Sequence, residues 1–376
     1  GLISHSSELR WLSVLGGGVG GHWSDVRTVS DKAPGPMPFL HTIDADMIAY
    51  RQGKTRKGSL CAFLDISHPD IMEFIHMRVP TGDVNRKNLN LHHSINIPDE
   101  FMRAVERDEM WDLIDPNDET VRDTIRAREL WETLLEIRYR TGEPCIHFIT
   151  ESNRHLPQPL KDIGLRVNSS NLCQEIMLPT SEDRTAVCCL SSLNLEKYDE
   201  WKNDLHFIPD VVRFLDNVLE YFINNASDFL SRAKYSAMRE RSIGLGTMGF
   251  HSYLQSKKIP FASVLAKAQN NTIFAHIKKQ AEETSRQLAE ERGEAPDMVG
   301  TGMRNAHLLA IAPNATSSII CGSTSPSIEP VRANVYSQKT MSGTFLMKNK
   351  YLQQLLKEKN IDDETTWKSI LAKRGS

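Results

Sequence analysis

An amide, a thiol and a carboxylate alternate along Asn171-Leu172-Cys173-Gln174-Glu175-Ile176. In an extended strand alternate side chains share one face, so Asn171, Cys173 and Glu175 are expected to project together while Leu172 and Ile176 pack. A sulfur, a base and a hydrogen-bonding amide in one row can act on one substrate. A buried strand with incidental polar residues is the plainer reading, but it leaves two polar groups and a thiol in need of partners. A cysteine protease is a rival; it needs a histidine base for the thiol, and the sequence places none beside Cys173.

Other stretches carry chemistry more loosely. Cys188 and Cys189 are adjacent, a spacing that rarely bridges, and in a strand they point to opposite faces. "PNATSSIICG" (313–322) offers Thr316, Ser317 and Ser318 hydroxyls in a small-residue turn, either a phosphate cradle or an ordinary polar helix cap. "RQGKTRKG" (51–58) reads as a solvated basic loop or as a loop that touches a nucleotide. "GLGTMG" (244–249) has G-x-G-x-x-G form but lacks the acid and the opening βαβ unit of a dinucleotide fold, so close helix–strand packing is expected instead. Cys61 and Cys321 read as buried small hydrophobes. The thirteen histidines show no structural zinc spacing, so no metal site is expected.

These residues need elements to hold them. The glycine-dense "VLGGGVGGHW" (14–23) implies a tight turn or a close backbone approach. "SLCAFLDI", "PCIHFIT", "TAVCCLSSL", "SIGLG" and "HLLAIAP" are strand candidates. "LNLHHSINI" alternates with Leu89, Leu91, His93, Ile95 and Ile97 on one face. Helical patterns cover "ELWETLLEIRYRTG", "DVVRFLDNVLEYFI" and about 262–292, stopping at Gly142 and Gly293 in the first and last cases. Interleaved helices and about eight strands define an α/β architecture.

Bulk properties exclude several classes. The 376 residues suffice for a large core, and the net charge of −3 argues against a general nucleic-acid binder. No apolar run reaches membrane-helix length and no signal peptide opens the chain, so a cytoplasmic protein with no membrane partner is expected. Six cysteines without C-x-x-C pairs fit a reducing compartment.

Taken in order, "GGGVGGHWSDVR", "RQGKTRKG", "NSSNLCQEIMLPT", "AVCCLSSLNL", "RSIGLGTMGF" and "APNATSSIICGSTSPSIEP" resemble the large catalytic subunit of class I ribonucleotide reductase, over essentially the whole chain. The resemblance implies a ten-stranded α/β barrel, two antiparallel sets of parallel strands around a finger loop with Cys173 at its tip. It implies one catalytic barrel domain over 1–376, without the first strand, any N-terminal ATP cone, the last strand, the relay tyrosines and the C-terminal tail. Reduction of a ribonucleoside di- or triphosphate is then expected. A Cys173 thiyl radical takes the 3′ hydrogen, Glu175 is the base at the 3′ hydroxyl, and Asn171 holds the sugar hydroxyls. Cys188 is one of two reducing cysteines.

Ser170, Gly18 and the phosphate loop Pro313, Asn314, Ala315, Thr316 and Ser317 are the implied substrate contacts. Asn314 stands where many relatives have Thr or Ser. Loops 28–35 and 51–58 are the implied effector readers, with Arg27, Lys32, Gly35, Arg51, Gln52, Lys54 and Arg56 touching a dNTP or ATP effector. No cofactor is expected on the chain itself. Its radical is expected from a di-metal small subunit, with adenosylcobalamin as the alternative source. A second large subunit, a thioredoxin or glutaredoxin reductant, and complementary N- and C-terminal segments if the gene is split are the other implied partners. A nucleotide-binding fragment that turns nothing over is the non-enzymatic alternative.

Overall fold

A computed structural model describes residues 1–50, 57–340 and 342–375. The chain divides into two compact units, Gly1–Val187 with Phe222–Arg239, and Cys188–Tyr221 with Glu240–Ser376.

The first unit contains β1 (Val19–His22), the short strands β2 (Val29–Ser30) and β3 (Ala33–Pro34), β4 (Leu60–Asp65) and β5 (His92–Ile97), followed by the β6 (Met110–Ile114)–β7 (Val121–Arg126) hairpin and β8 (Cys145–Phe148). Strands β1, β4, β5 and β8 form one parallel sheet in that order. Its central strands are buried on both faces, as expected when helices cover one side and something else fills the other. Leu60, Ala62 and Leu64 of β4 enter an apolar core with Ile95 and Ile97 of β5. Leu40, Ile43 and Met47 of helix Met37–Ala49, and Leu130, Leu134 and Ile137 of helix Ala127–Thr141, complete that core. The second helix stops at Gly142, which adopts φ +82°, a conformation that suits glycine.

The alternation in "LNLHHSINI" is realised from Leu91 onward. Leu91, His93, Ile95 and Ile97 are all fully buried, while Leu89 lies exposed before the strand begins. The opposite face of the sheet carries Cys61, His92, Ser94, Asn96, Cys145 and His147, aligned by the registers Cys61↔His92, Ser94↔Cys145 and Asn96↔His147. That polar face receives the loop that bears Cys173.

In the second unit β9 (Cys189–Asn194) pairs in parallel with β10 (Ile243–Met248). Segment 307–310 runs alongside β10 through the bridge Leu245↔Leu309 and hydrogen bonds from Ile243 N–H to the His307 carbonyl (3.0 Å) and from Leu245 N–H to the Leu308 carbonyl (2.8 Å). An antiparallel hairpin of β11 (Val335–Thr340) and β12 (Gly343–Lys348) follows. The long helix Val264–Arg292 begins where Ser263 Oγ accepts the Ala266 N–H and ends at Gly293. Asp216, fully buried on helix Phe207–Asn225, accepts from Arg241 (3.0 Å) and Arg292 (2.9 Å). This burial of a charge is tolerable only because it is paired on several sides.

Three sequence expectations need correction. The glycines of "GLGTMG" serve strand–strand rather than helix–strand packing: a Cβ on Gly246 would lie 2.2 Å from the Ala310 carbonyl oxygen, and one on Gly244 2.5 Å from Leu190. Cys321 is exposed, because it follows the four-residue helix Ser317–Ile320 as its C-cap rather than entering a core. Among the described residues the strands in parallel sheets number four in one unit and two in the other. "HLLAIAP" contributes one bridge, and the NLCQEI run is not a strand. No helix among the described residues is long and apolar enough to cross a membrane.

Candidate active site

The segment 168–180 leaves the sheet as a loop fastened at its base. Asn168 Nδ2 donates to the Thr180 carbonyl (3.0 Å), closing the loop on itself. Asn96 Nδ2 on β5 donates to the Asn168 carbonyl (2.8 Å) and to Asp65 Oδ1 (2.7 Å). Asn153 brackets Val167, accepting from its N–H (2.9 Å) and donating to its carbonyl (2.9 Å). Such side-chain amides replace the ladder bonds that an irregular backbone lacks.

The ascending limb passes directly over β1. A Cβ on Gly20 would fall 1.6 Å from the Ser170 carbonyl oxygen, so only glycine admits the loop at this point. Gly18 meets Leu172 at an ordinary 3.4 Å, so a Cβ there has room.

The tip differs from the extended row expected from sequence. Gln174 adopts φ +65°, and its N–H donates to the Asn171 carbonyl (3.3 Å), so Asn171–Gln174 is a turn. Residues on a turn do not alternate faces, and the three polar groups are presented individually. Cys173 is exposed at the tip. Asn171 Oδ1 is engaged within the loop by the Ile176 N–H (3.3 Å) and Ser170 Oγ (3.2 Å), which leaves the Nδ2 amide for a ligand. Ser170 Oγ donates to the Ile176 carbonyl (2.7 Å), so this residue braces the tip. Glu175 Oε2 is buried with no hydrogen-bond partner among the described residues. An orphaned carboxylate oxygen is costly, and its retention marks a position where an acceptor is wanted.

A cavity of about 830 Å³ in the same unit is lined by Gly20, Asn168 and Ser169 from the loop region and by Arg27, Lys32 and Gly35 from the β2–β3 segment. Arg184 and Arg232 also line it. Asp70 holds that segment, accepting from Thr28 Oγ1 (2.9 Å) and the Val29 N–H (3.3 Å). His22 faces the cavity between two carboxylates, 3.6 Å from Asp65 and 3.8 Å from Asp25. Burial works to lower its pKa, but the two carboxylates outweigh it and push the imidazole up to about 9. Thus Arg27, Lys32 and Gly35 are brought together, whereas Arg51, Gln52, Lys54 and Arg56 lie outside the described residues.

In the second unit Cys188 immediately precedes β9, beside Gly244 of β10, where an added Cβ would sit 3.0 Å from its sulfur. Burial raises the pKa of Cys189, with Arg241 opposing it. The phosphate-loop candidates fall into two groups. Pro313, Ala315, Thr316 and Ser317 are exposed. The first bonds of the turn are donated by Ser318 to the Asn314 carbonyl (3.0 Å) and by Ile319 to the Thr316 carbonyl (3.1 Å), so the N–H groups of Ala315, Thr316 and Ser317 precede it. Thr316 makes no side-chain cap. Asn314, at φ +53°, turns its side chain into the strands instead. Its amide is satisfied at both ends when nitrogen donates to the carbonyls of Ala312 (2.9 Å) and Thr247 (3.2 Å) and oxygen accepts from Ser192 Oγ (3.0 Å). The Asn314 side chain thus braces the loop against Ser192 and the Thr247 carbonyl.

Sequence reasoning missed Asn96, Asn153, Asn168, Thr180 and Gln174. Asn168, Gln174 and Thr180 lie within "NSSNLCQEIMLPT" and Asn96 within "LNLHHSINI", but their roles depend on partners that local sequence does not show. Gly20 was legible as a close backbone approach, though its partner was not. Among the described residues no group of three or more His, Cys, Asp or Glu side chains is placed to hold a metal ion.

A four-stranded parallel sheet that receives a cysteine-bearing loop on its polar face places the chain among α/β proteins whose candidate site lies on a loop over the sheet. The family model for the ribonucleotide reductase barrel domain matches residues 3–301 and 296–376. The chain is 55% identical over 379 residues to a sequence assigned as a ribonucleoside-diphosphate reductase large subunit in Frog virus 3 (isolate Goorha), covering 100% of the chain and 67% of that protein. It is 46% identical over 433 residues to the ribonucleoside-diphosphate reductase large subunit of Invertebrate iridescent virus 3, covering 100% and 69%. The class Id ribonucleotide reductase alpha subunit of Actinobacillus ureae superposes with a TM-score of 0.86 at 34% identity, covering 100% of this chain and 66% of that one. The chain belongs to the ribonucleotide reductase large-subunit family. It spans about two thirds of the length of these relatives.

Proposed function

We propose that residues 1–376 form the catalytic barrel of a class I ribonucleotide reductase large subunit, reducing ribonucleoside diphosphates by thiyl-radical chemistry. The observation that carries this reading is the loop tip: an exposed Cys173 two residues before Glu175, whose buried Oε2 has no partner among the described residues. In this role the Cys173 sulfur radical takes the 3′ hydrogen of the ribose. Glu175 accepts the proton of the 3′ hydroxyl, and the Asn171 Nδ2 amide holds the sugar hydroxyls. Cys188 and a second cysteine supply the electrons that replace the 2′ oxygen, ending as a disulfide. The N–H groups and hydroxyls of Thr316 and Ser317 offer donors to the phosphates.

The radical comes from a separate di-metal subunit, and thioredoxin or glutaredoxin restores the dithiol. The likeness to a class Id alpha subunit favours this arrangement over adenosylcobalamin. Arg27, Lys32 and Gly35 are assigned to effector recognition, with a second large subunit completing the assembly, and the protein is assigned to the cytoplasm.

The test is Cys173→Ser in the reductase holoenzyme that contains this chain. Serine keeps the size but lacks the S–H bond from which a thiyl radical forms. Deoxynucleotide formation should vanish while nucleotide binding persists; measurable turnover by the serine variant would overturn the assignment.

A further inference from the structure

We propose that Gln174 is a positioning residue for the Cys173 sulfur, holding the loop tip onto β4 and β5 through Cys61 and Ser94. The proposal rests on the reading of Cys173 as the radical-bearing residue.

A left-handed backbone at φ +65° is unfavourable for a residue with a Cβ, and a turn alone would be served better by glycine. Glutamine offers what glycine cannot, a side chain that reaches the sheet. Its Oε1 accepts from Ser94 Oγ on β5 (3.1 Å), and its Nε2 lies 3.9 Å from Cys61 Sγ on β4. Ser94 and Cys61 are both fully buried, so neither anchor moves readily. Burial raises the Cys61 pKa, with nearby Cys145 and Glu143 adding to it, so this sulfur stays a neutral thiol able to accept the amide N–H. Backbone and side chain thus fix Gln174 from opposite sides, by the turn to Asn171 and by the tether to two strands. Cys173 is the adjoining residue, and its sulfur inherits that height above the sheet. Hydrogen-atom abstraction is steep in distance, so a loosened tip should slow chemistry rather than binding.

The experiment compares Gln174→Leu, which keeps bulk and removes both tethers, with Ser94→Ala, which removes one, in the holoenzyme. Gln174→Leu should lower kcat ~10-fold, as expected for ~1.4 kcal/mol of lost positioning, with KM for the ribonucleotide nearly unchanged. Ser94→Ala should move kcat in the same direction, and the double variant should be no worse than Gln174→Leu alone, because the two share one interaction. Mass-spectrometric alkylation of Cys173 in the resting protein should proceed faster in Gln174→Leu. If Gln174→Leu does not fold, Ser94→Ala decides by the same kcat and KM measurements. A native kcat, or a loss carried equally by KM, overturns the positioning role provided that Cys173→Ser is inactive. If Cys173→Ser is itself active, the reading of the radical site fails instead.

Discussion

The carbonyl oxygen of Ser170 occupies the space that a side chain on Gly20 would need, with only 1.6 Å between it and an added Cβ. Backbone cannot yield as a flexible side chain can, so Gly20→Ala must displace either β1 or the loop that bears Cys173. Overpacking of this kind costs ~1–3 kcal/mol. Gly20→Ala should lower the unfolding free energy by about that amount and abolish turnover, whereas Gly18→Ala, with 3.4 Å of room, should leave stability near native. Denaturant unfolding of both variants checks this; equal stability losses would refute the threading of the loop over Gly20.

Glu175 should separate stability from activity. Its Oε2 has no hydrogen-bond partner among the described residues, so Glu175→Gln removes none of the bonds described at that atom. Unfolding free energy should stay level or rise, while turnover falls ~10²–10⁴-fold, the usual scale for losing a general base. A variant that loses stability in proportion to its activity would show that the carboxylate is structural.

Asn314 should affect nucleotide capture before chemistry. Its amide joins the 313–317 loop to Ser192 of β9 and to the Thr247 carbonyl of β10. Each such bond contributes ~1 kcal/mol, so Asn314→Ala should raise the ribonucleotide KM ~5-fold as the loop loosens. A change confined to kcat would argue against a strut under a phosphate loop.

Acid should weaken the first unit through His147. Its Nδ1 meets Asn96 Oδ1 (2.8 Å) and its Nε2 meets Ser152 Oγ (2.8 Å), beneath the base of the loop. Burial lowers its pKa to about 4, with the Asp65 charge opposing. The unfolded chain therefore binds the proton more readily between pH 6.5 and 4. Stability is full above that window and falls as pH drops through it, by up to ~3 kcal/mol from this group. His5, also lowered to about 4, adds to the slope. Urea unfolding from pH 7.5 to 4.5 should show the decline, and His147→Gln should flatten it in part; identical slopes would refute the assignment.

The candidate residues stood out in local residue order. Asn171, Cys173 and Glu175 stand in a row too polar for an unexplained core strand, and the glycines at 16–21 announced a close approach of backbone. Continuous apolar runs such as "LCAFL" forecast buried strands, because hydrophobic patterning depends only on neighbours along the chain. The shape of the tip was not legible. An alternating pattern also fits a turn, and the turn is accompanied by a hydrogen bond from Ser94, 80 positions away, to Gln174. Asn314 makes the same point from the other unit: its residue type suits a phosphate ligand, but Ser192, 122 positions earlier, takes up the amide. Residue type and spacing thus determined which groups are available for chemistry. Only the tertiary structure decided which of them are committed to holding the loops and which remain for a substrate, because a buried polar group bonds to whatever the fold brings within about 3 Å.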